Sequence, residues 1–519
     1  MHVVTGEEMH RIDRETVQKI GLSGETLMES AGRAAAGKLM GRIGKKEKIV
    51  VLAGTGNNGG DGFVIGRVLL EAGYDAEVWL IPPRKKIKGD ARKHLAIYEA
   101  AGFHVETYQG NEARLAASLE RCTVVVDAML GTGVKGGVRP PYKEIIQRLN
   151  EARALTIAVD VPSGVPSDGE RIEGEAVKAD WTLTLQCPKT SAFVYPHASY
   201  YGECETLNIG IPQKVVRAIA PARQLWSADA FRRHFPKRAA DAHKGSHGKG
   251  LIIAGSREMP GAAAMTGAAA LRGGGGLVTL AVPAAIQPTV ASLLPEATYR
   301  PCASADGAFS GEWPLEAAYD AVAAGPGIGR GDGAAKLVAA LLRECEAPLV
   351  LDADALYPLD RLKAELKARP APTVLTPHPG EMARLTGTSV EAVQSSRFQS
   401  AREFARTYGV WLVLKGPYTI VSAPDGMQFV NPTGNAALAK GGTGDVLTGL
   451  IFAFIMQHPQ IQPAVSNAVY LHGQAADDLV ANGTAPASVL ATDLIEQFGA
   501  SLGRLLAHET PVPTPAQIL

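Results

Sequence analysis

Two glycine-rich loops, each delivering the chain into a helix, constrain this sequence more than any other feature. The first, Gly54-Thr55-Gly56-Asn57-Asn58-Gly59-Gly60-Asp61-Gly62, follows the apolar run Val50-Val51-Leu52-Ala53. The second, Gly441-Gly442-Thr443-Gly444-Asp445, precedes the apolar helix Val446-Leu447-Thr448-Gly449-Leu450-Ile451-Phe452. Bare backbone N–H groups at a helix N-terminus make an anion hole, and an aspartate beside them can take a proton from an attacking hydroxyl. Two such loops so far apart predict two sites. A length of 519 residues is too great for one core and suits two domains.

In the first half, apolar runs at 49–52, 76–81, 123–127, 156–161 and 181–185 alternate with helical patterns, and residues 6–40 read as helical. That rhythm predicts a doubly wound, Rossmann-like α/β sheet over residues 1–215. It weakens after Ile211-Pro212, which places a linker at 216–225. Strand candidates resume at 251–254, 277–282, 321–324, 349–352, 373–376 and 411–415, a second α/β domain at 226–507. Residues 508–519, with Pro511, Pro513 and Pro515 and no apolar pattern, read as a frayed tail.

Lys plus Arg and Asp plus Glu both total 52, so no global field recruits nucleic acid or an anionic membrane. Small-molecule chemistry is the expectation. Five cysteines without CxxC spacing argue against zinc and disulfides and for a reducing cytoplasm. Glu7, Glu8, Arg11, Asp13 and Arg14 argue against a signal peptide, and no uncharged apolar run approaches the roughly 20 residues of a membrane span.

Gly54-x-Gly56-x-x-Gly59 satisfies the dinucleotide fingerprint, but a nicotinamide oxidoreductase also needs a ribose-binding acid after its second strand. That strand ends Trp79-Leu80-Ile81-Pro82-Pro83-Arg84. The side-chain oxygens of Asn57, Asn58 and Asp61 suit a cation or a ligand bearing hydroxyls and a carboxamide. Asp127 and Asp160 end further strands and lead into Gly131-Thr132-Gly133-Val134-Lys135-Gly136-Gly137 and Val161-Pro162-Ser163-Gly164. Singly, each aspartate reads equally well as a cap or turn former; three strand ends converging on one edge argue for a site. The run Arg84-Lys85-Lys86-Ile87-Lys88 reads as solvated surface, and Asp352 and Asp354 as strand-end packing or capping residues ahead of a magnesium role.

Together with Leu27-Met28-Glu29-Ser30-Ala31-Gly32, these motifs resemble the NAD(P)H-hydrate epimerase family, in the family's order and over most of residues 1–210. The resemblance implies that Asn58, Asp127 and Ser163 hold a potassium ion, with backbone carbonyls completing its shell. It implies that Asn57, Asn58, Gly59, Gly60, Asp61, Gly131, Thr132, Gly133, Val134, Lys135, Gly136, Gly137, Tyr142 and Asp160 bind the hydrated dinucleotide. Asp160 is the choice for proton transfer.

In the second half, Gly325-Pro326-Gly327, Thr376-Pro377-His378-Pro379-Gly380-Glu381, Lys415-Gly416-Pro417-Tyr418-Thr419, Asn431-Pro432-Thr433-Gly434-Asn435 and the 441–445 loop resemble the ribokinase-like dehydratase often fused to that epimerase. The likeness spans about residues 225–505. The loop alone indicates only a ribokinase-like phosphotransferase, and His378 between two prolines reads first as a turn residue. The resemblance implies ADP as phosphoryl donor with magnesium, and NADH and NADPH hydrates as substrates. It places Lys415, Gly416, Pro417, Tyr418, Thr419 and Gly444 on the nucleotide, Ala262, Gly327, His378 and Asp445 on the hydrate, and Asp445 as base. The residues do not decide between ADP and ATP, and an oligomer is compatible with them. The competing reading is a vitamin or sugar kinase fused to an oxidoreductase or to a non-catalytic dinucleotide-binding module.

Overall fold

The computed structural model describes residues 1–134, 136–220, 222–310 and 318–507; Lys135 and the expected tail 508–519 lie outside the described residues. The chain divides into two units, Met1–Arg223 and Gln224–Leu519. The stretch expected as a linker, 216–225, holds the end of the helix Gln213–Ile219 and the short strand Arg223–Leu225.

Seven strands build the first unit: β1 (Lys48–Ala53), β2 (Asp75–Leu80), β3 (Val105–Thr107), β4 (Val124–Ala128), β5 (Leu155–Val159), β6 (Trp181–Leu185) and β7 (Glu203–Leu207). They form one parallel sheet in the order β3-β2-β1-β4-β5-β6-β7. A parallel sheet must be covered on both faces, and its central strands are accordingly apolar throughout. Val51 and Val78 pack under helices Gly24–Arg42 and Asn57–Glu71 through Leu27, Ala31, Phe63 and Ile65. Val50, Leu52 and Val125 face the opposite layer, with Ile145, Ile146 and Leu149. The order reverses between β1 and β4, so the loops leaving their carboxyl ends diverge and open a crevice. The expected helix over 6–40 is broken: Gly6–Glu15 passes through a wide turn to Gly21 in the left-handed region, and a new helix starts at Gly24, capped by the Ser23 hydroxyl.

The second unit continues with β8 (Arg223–Leu225), β9 (Lys249–Ile253), β10 (Leu277–Pro283), β11 (Thr298–Cys302), the hairpin β12 (Ser304–Ala305) and β13 (Ala308–Phe309), β14 (Ala321–Ala324), β15 (Leu349–Leu351), β16 (Thr373–Leu375), β17 (Trp411–Leu414), β18 (Ile420–Ser422) and β19 (Gln428–Val430). The main sheet runs β11-β10-β9-β14-β15-β16-β17-β18-β19-β8, parallel from β11 to β17 and antiparallel from β17 to β19. Helix Thr443–Gln457 is apolar nearly all round because it is buried between this sheet and its neighbour Pro260–Arg272. The two helices cross so closely that a Cβ on Gly449 would lie 2.2 Å from the Thr266 carbonyl oxygen. Among the described residues no helix is long and apolar enough to cross a membrane, and all five cysteines are free.

Candidate functional sites

In the first unit the loops after β1 and β4 touch. A Cβ on Gly54 would stand 1.8 Å from the Met129 carbonyl oxygen, an approach only glycine permits. Three of the expected residues meet around the next peptide, Leu130. Asn58, in the first turn of its helix, donates from Nδ2 to the Leu130 carbonyl at 2.7 Å, and the Ser163 hydroxyl accepts from the Leu130 N–H at 2.8 Å. Asp127 is fully buried; its Oδ1 accepts from the Ser163 hydroxyl at 2.6 Å and its Oδ2 from the Ser163 N–H at 2.8 Å. Burial pushes this carboxyl up to about 6 in spite of the Ser163 and Met129 donors. The Asn58 Oδ1 is buried with no hydrogen-bond partner. An orphaned amide oxygen, a desolvated carboxylate and a hydroxyl form an oxygen donor set for a hard cation of low charge.

Beside this cluster lies a cavity of about 830 Å³, lined by Asn57, Asn58, Asp61, Gly131, Thr132, Gly133, Val134, Gly136, Gly137, Tyr142 and Asp160. Of the other expected residues, Gly59 and Gly60 follow in the same helical turn, buried. The Tyr142 hydroxyl is pushed up to about 12, chiefly by burial, and is hydrogen-bonded to Thr55. Asp160 follows β5 with φ 68°, a left-handed conformation rare for a residue with a side chain. Its Oδ1 accepts from the Leu185 N–H at 3.0 Å and is ion-paired to Lys189.

Lys189 and Asp13 line the same cavity, and neither stood out in the sequence as a site residue. Lys189 is 0% exposed and also donates to the Leu185 carbonyl at 3.3 Å. Asp13, on helix Gly6–Glu15, is pushed up to about 6 by burial, with Lys189 opposing and Asp160 adding to the rise. Asp61 is pushed well above the usual carboxylate range by burial, then by Asp160 and Asp13. Three carboxyl groups around one ammonium do not all ionise at neutral pH, so the cavity holds proton donors and acceptors together. Pro188-Lys189 lies just past the carboxyl end of β6, where strand-end reasoning would have found it. Asp13 carried no such signal: among Glu7, Glu8, Arg11 and Arg14 it reads as one more charge on a surface helix.

In the second unit Asp445 occupies the first turn of helix Thr443–Gln457, whose N-cap is Gly442 at φ 89°. Its carboxyl is pushed up to about 7 by burial and then by Asp352, with Lys415 opposing and Asp354 contributing. Lys415 follows β17, and its ammonium donates to the Asp352 Oδ1 at 2.8 Å. A Cβ on Gly444 would lie 3.5 Å from that ammonium and 4.0 Å from the Asp352 Oδ2, so Lys415, Asp352 and Gly444 form one cluster with Asp445. Asp354 accepts from the Gly329 N–H and the Arg330 Nε, both at 3.0 Å, which ties the 325–330 loop to this strand end. Ala262 and Gly327 are neighbours, the Ala262 Cβ standing 3.0 Å from where a Cβ of Gly327 would be.

The loop Lys415-Gly416-Pro417-Tyr418-Thr419 takes positive φ at Gly416 and Tyr418 and is closed by the Thr419 hydroxyl on the Gly416 carbonyl at 3.0 Å. Arg397, buried beneath it, donates to the Leu414 carbonyl at 3.3 Å and the Lys415 carbonyl at 3.4 Å. His378 caps helix Pro379–Thr386: its Nδ1 accepts from the Gly380 N–H at 3.0 Å and the Glu381 N–H at 3.3 Å, and its own N–H donates to Glu381 at 2.8 Å. More than half of the ring is exposed. His472, buried against the Thr443 carbonyl at 3.0 Å, is pushed down to about 4 by burial.

A family model described as NAD(P)H-hydrate dehydratase matches residues 250–499, and one described as YjeF-related protein N-terminus matches residues 24–191. Proteins described as bifunctional NAD(P)H-hydrate repair enzyme Nnr are similar over nearly the whole chain. That of Moorella thermoacetica is 38% identical over 508 residues, covering 96% of this chain and 96% of its own. That of Thermofilum pendens is 37% identical over 484 residues, covering 92% of each. A solved ADP/ATP-dependent NAD(P)H-hydrate dehydratase from Bacillus subtilis, co-crystallised with ATP and Mg2+, is 38% identical with a TM-score of 0.49, covering 54% of this chain and 98% of that one.

Proposed function

This chain belongs to the family of bifunctional NAD(P)H-hydrate repair enzymes, and on that premise we propose how its two sites divide the chemistry. The first unit, residues 1–215 in our reading, interconverts the R and S hydrates. The second, residues 226–507, returns the S hydrate to NADH or NADPH by phosphorylation and elimination.

In the hydrate a hydroxyl sits on ring carbon six, next to the ring nitrogen. Inverting that carbon requires the hydroxyl to leave as water from one face, pushed out by the nitrogen lone pair, and water to return on the other. One group must give a proton and another must take one. Asp160, held by Lys189, the Asp13 carboxyl raised to about 6 and the Asp61 carboxyl raised further by burial support a sharing of these roles. Asn57 and residues 131–137 bind the dinucleotide around them. Asn58, Asp127 and Ser163 fit a potassium ion, and the orphaned Asn58 oxygen supports that assignment. A cation there would supply positive charge beneath the loops that grip the hydrate.

In the second unit Asp445 takes the proton of the ring hydroxyl, whose oxygen attacks the β-phosphorus of ADP. AMP leaves, the ring nitrogen's lone pair then expels inorganic phosphate, and the proton lost from ring carbon five to the departing phosphate restores the double bond. The amides of the 442–445 turn and the Lys415 ammonium balance charge on the transferring group. No three His, Cys, Asp or Glu side chains gather into a metal site among the described residues. Magnesium would come with the nucleotide's phosphates. The observation that carries this reading is the buried Asp445, pushed up to about 7 at a helix N-terminus beside a buried lysine. Its five free thiols support a cytoplasmic location.

The test is absorbance at the reduced-nicotinamide band after mixing the protein with epimeric NADH hydrate, magnesium, potassium and either ADP or ATP. Full recovery with one nucleotide demonstrates both activities and names the donor. Recovery that stops partway removes epimerisation from the reading, and accumulation of a stable phosphorylated product makes the second unit a kinase.

A further inference from the structure

Asp352 follows β15, 1% exposed, under the loop that carries Asp445. Its oxygens are engaged by protein groups: Oδ1 accepts from the Lys415 ammonium at 2.8 Å and the Thr376 hydroxyl at 2.7 Å, and Oδ2 from the Thr448 hydroxyl at 2.7 Å. Three of the roughly four acceptor positions of the carboxylate are thus taken by protein donors. Thr448 lies on the same helix as Asp445, less than one turn further along, and Thr376 follows the adjacent strand, so the carboxylate is fixed from two elements.

We propose that Asp352 is a positioning residue of the dehydration site: it holds the Lys415 ammonium beneath the 441–445 turn and, through its own charge, strengthens Asp445 as a base. This rests on the dehydratase reading of the second unit. The charged groups facing Asp445 are Asp352, Asp354 and Lys415. Lys415 is faced in turn by Glu381, whose own carboxyl caps against His378, and His472 meets the turn at the Thr443 carbonyl. Burial works against a charge on Asp352, but Lys415 and the two hydroxyls outweigh it and hold the carboxyl below its ordinary value. The site therefore contains one carboxylate kept ionised and a second poised near neutrality by burial and then by the first. A buried carboxylate next to a base raises its proton affinity, while an ammonium with no counter-charge lowers it.

The experiment is the pH profile of kcat for dehydration of the S hydrate by the full chain with ADP and magnesium. Wild-type turnover tests the dehydratase reading by itself; without it that reading fails before Asp352 is questioned. In Asp352→Asn the acid limb is expected to move down by about one pH unit or more, as removal of a neighbouring like charge does, with kcat lowered on the plateau. Asp352→Glu keeps the charge but moves it, so the limb should stay near its wild-type position while kcat falls. A limb that does not move in Asp352→Asn overturns the proposal, as does a selective rise in the magnesium requirement, which would make Asp352 a metal ligand. Should Asp352→Asn fail to fold, Thr448→Val removes one donor and is expected to lower kcat about fivefold, the order of one lost hydrogen bond, with KM for the hydrate unchanged. An unchanged kcat there overturns it too.

Discussion

The Lys189 ammonium, wholly buried, is paired to the Asp160 carboxylate at the floor of the first unit's cavity. A lysine in that position has no water to fall back on, so the pair stands or falls together. Asp160→Asn should reduce epimerisation by at least ~10²-fold, the scale of lost general acid–base catalysis, and leave dehydration of pure S hydrate intact. Lys189→Met leaves the half-buried Asp160 carboxylate unpaired and should cost stability, by less than the about 3–5 kcal/mol of a fully buried pair. Urea titration of the first unit measures the second effect. Equal melting of wild type and Lys189→Met would remove the buried pair.

The Asp13 carboxyl, raised to about 6 by burial, lines the same cavity as Asp160 and can exchange a proton near neutral pH. Asp13→Asn is expected to slow epimerisation by roughly 10²-fold without weakening binding of either hydrate. Chromatographic R-to-S ratios followed over time, with binding measured on the same preparation, separate the two. A loss of binding with unchanged turnover would make Asp13 a ligand contact.

The donor set of Asn58, Asp127 and Ser163 suits a weakly charged cation. Epimerisation should rise on adding potassium and fall when sodium or a large organic cation replaces it. Asn58→Ala, which deletes the orphaned oxygen, should remove that preference. Potassium should also raise the melting temperature of the wild-type first unit and not of the variant. If the variant is stabilised equally, the ion binds elsewhere.

Asp445 must be ionised to act as a base, so dehydration should increase with pH through about 7, the value to which its carboxyl is pushed. Asp445→Asn should stop dehydration and leave epimerisation unchanged. An acid limb near the usual carboxylate range would show that another group takes the proton.

His472 makes the second unit sensitive to mild acid. Its folded value is depressed to about 4, below the roughly 6.5 of an unfolded histidine, so the unfolded state binds more protons across that interval. Stability is full above about 6.5 and is lost as pH falls toward 4, with about 2 kcal/mol gone at pH 5. His458, also pushed down to about 4, acts in the same direction. Denaturant midpoints at neutral pH and at pH 5 measure the loss, and His472→Gln should lessen it. A midpoint independent of pH would mean that folding does not depress the ring's proton affinity.

The parts legible in the sequence are those where one residue type answers one physical demand. The apolar runs of β1, β4 and β5 announced a parallel sheet because strands covered on both faces have no polar side. Strands such as β3, of three residues, and β7, Glu203-Cys204-Glu205-Thr206-Leu207, escaped because they lie at the sheet's edges and their side chains are half in water. The same limit hid Asp13. Asp127, Asp160 and Asp445 were legible as strand-end or helix-start carboxylates, but Asp352 read as packing. Its partners Lys415, Thr376 and Thr448 come from three separate stretches of chain, and only the folded sheet gathers them.

The helix cap at His378 commits its imidazole to one tautomer. With Nδ1 accepting from two backbone amides, the neutral ring carries its hydrogen on Nε2, 3.5 Å from the Glu381 carboxylate. Any ligand atom that meets Nε2 must be an acceptor, such as a carboxamide or phosphate oxygen. Turning the ring over would uncap the helix, so the selectivity of this position is written into the backbone that follows it.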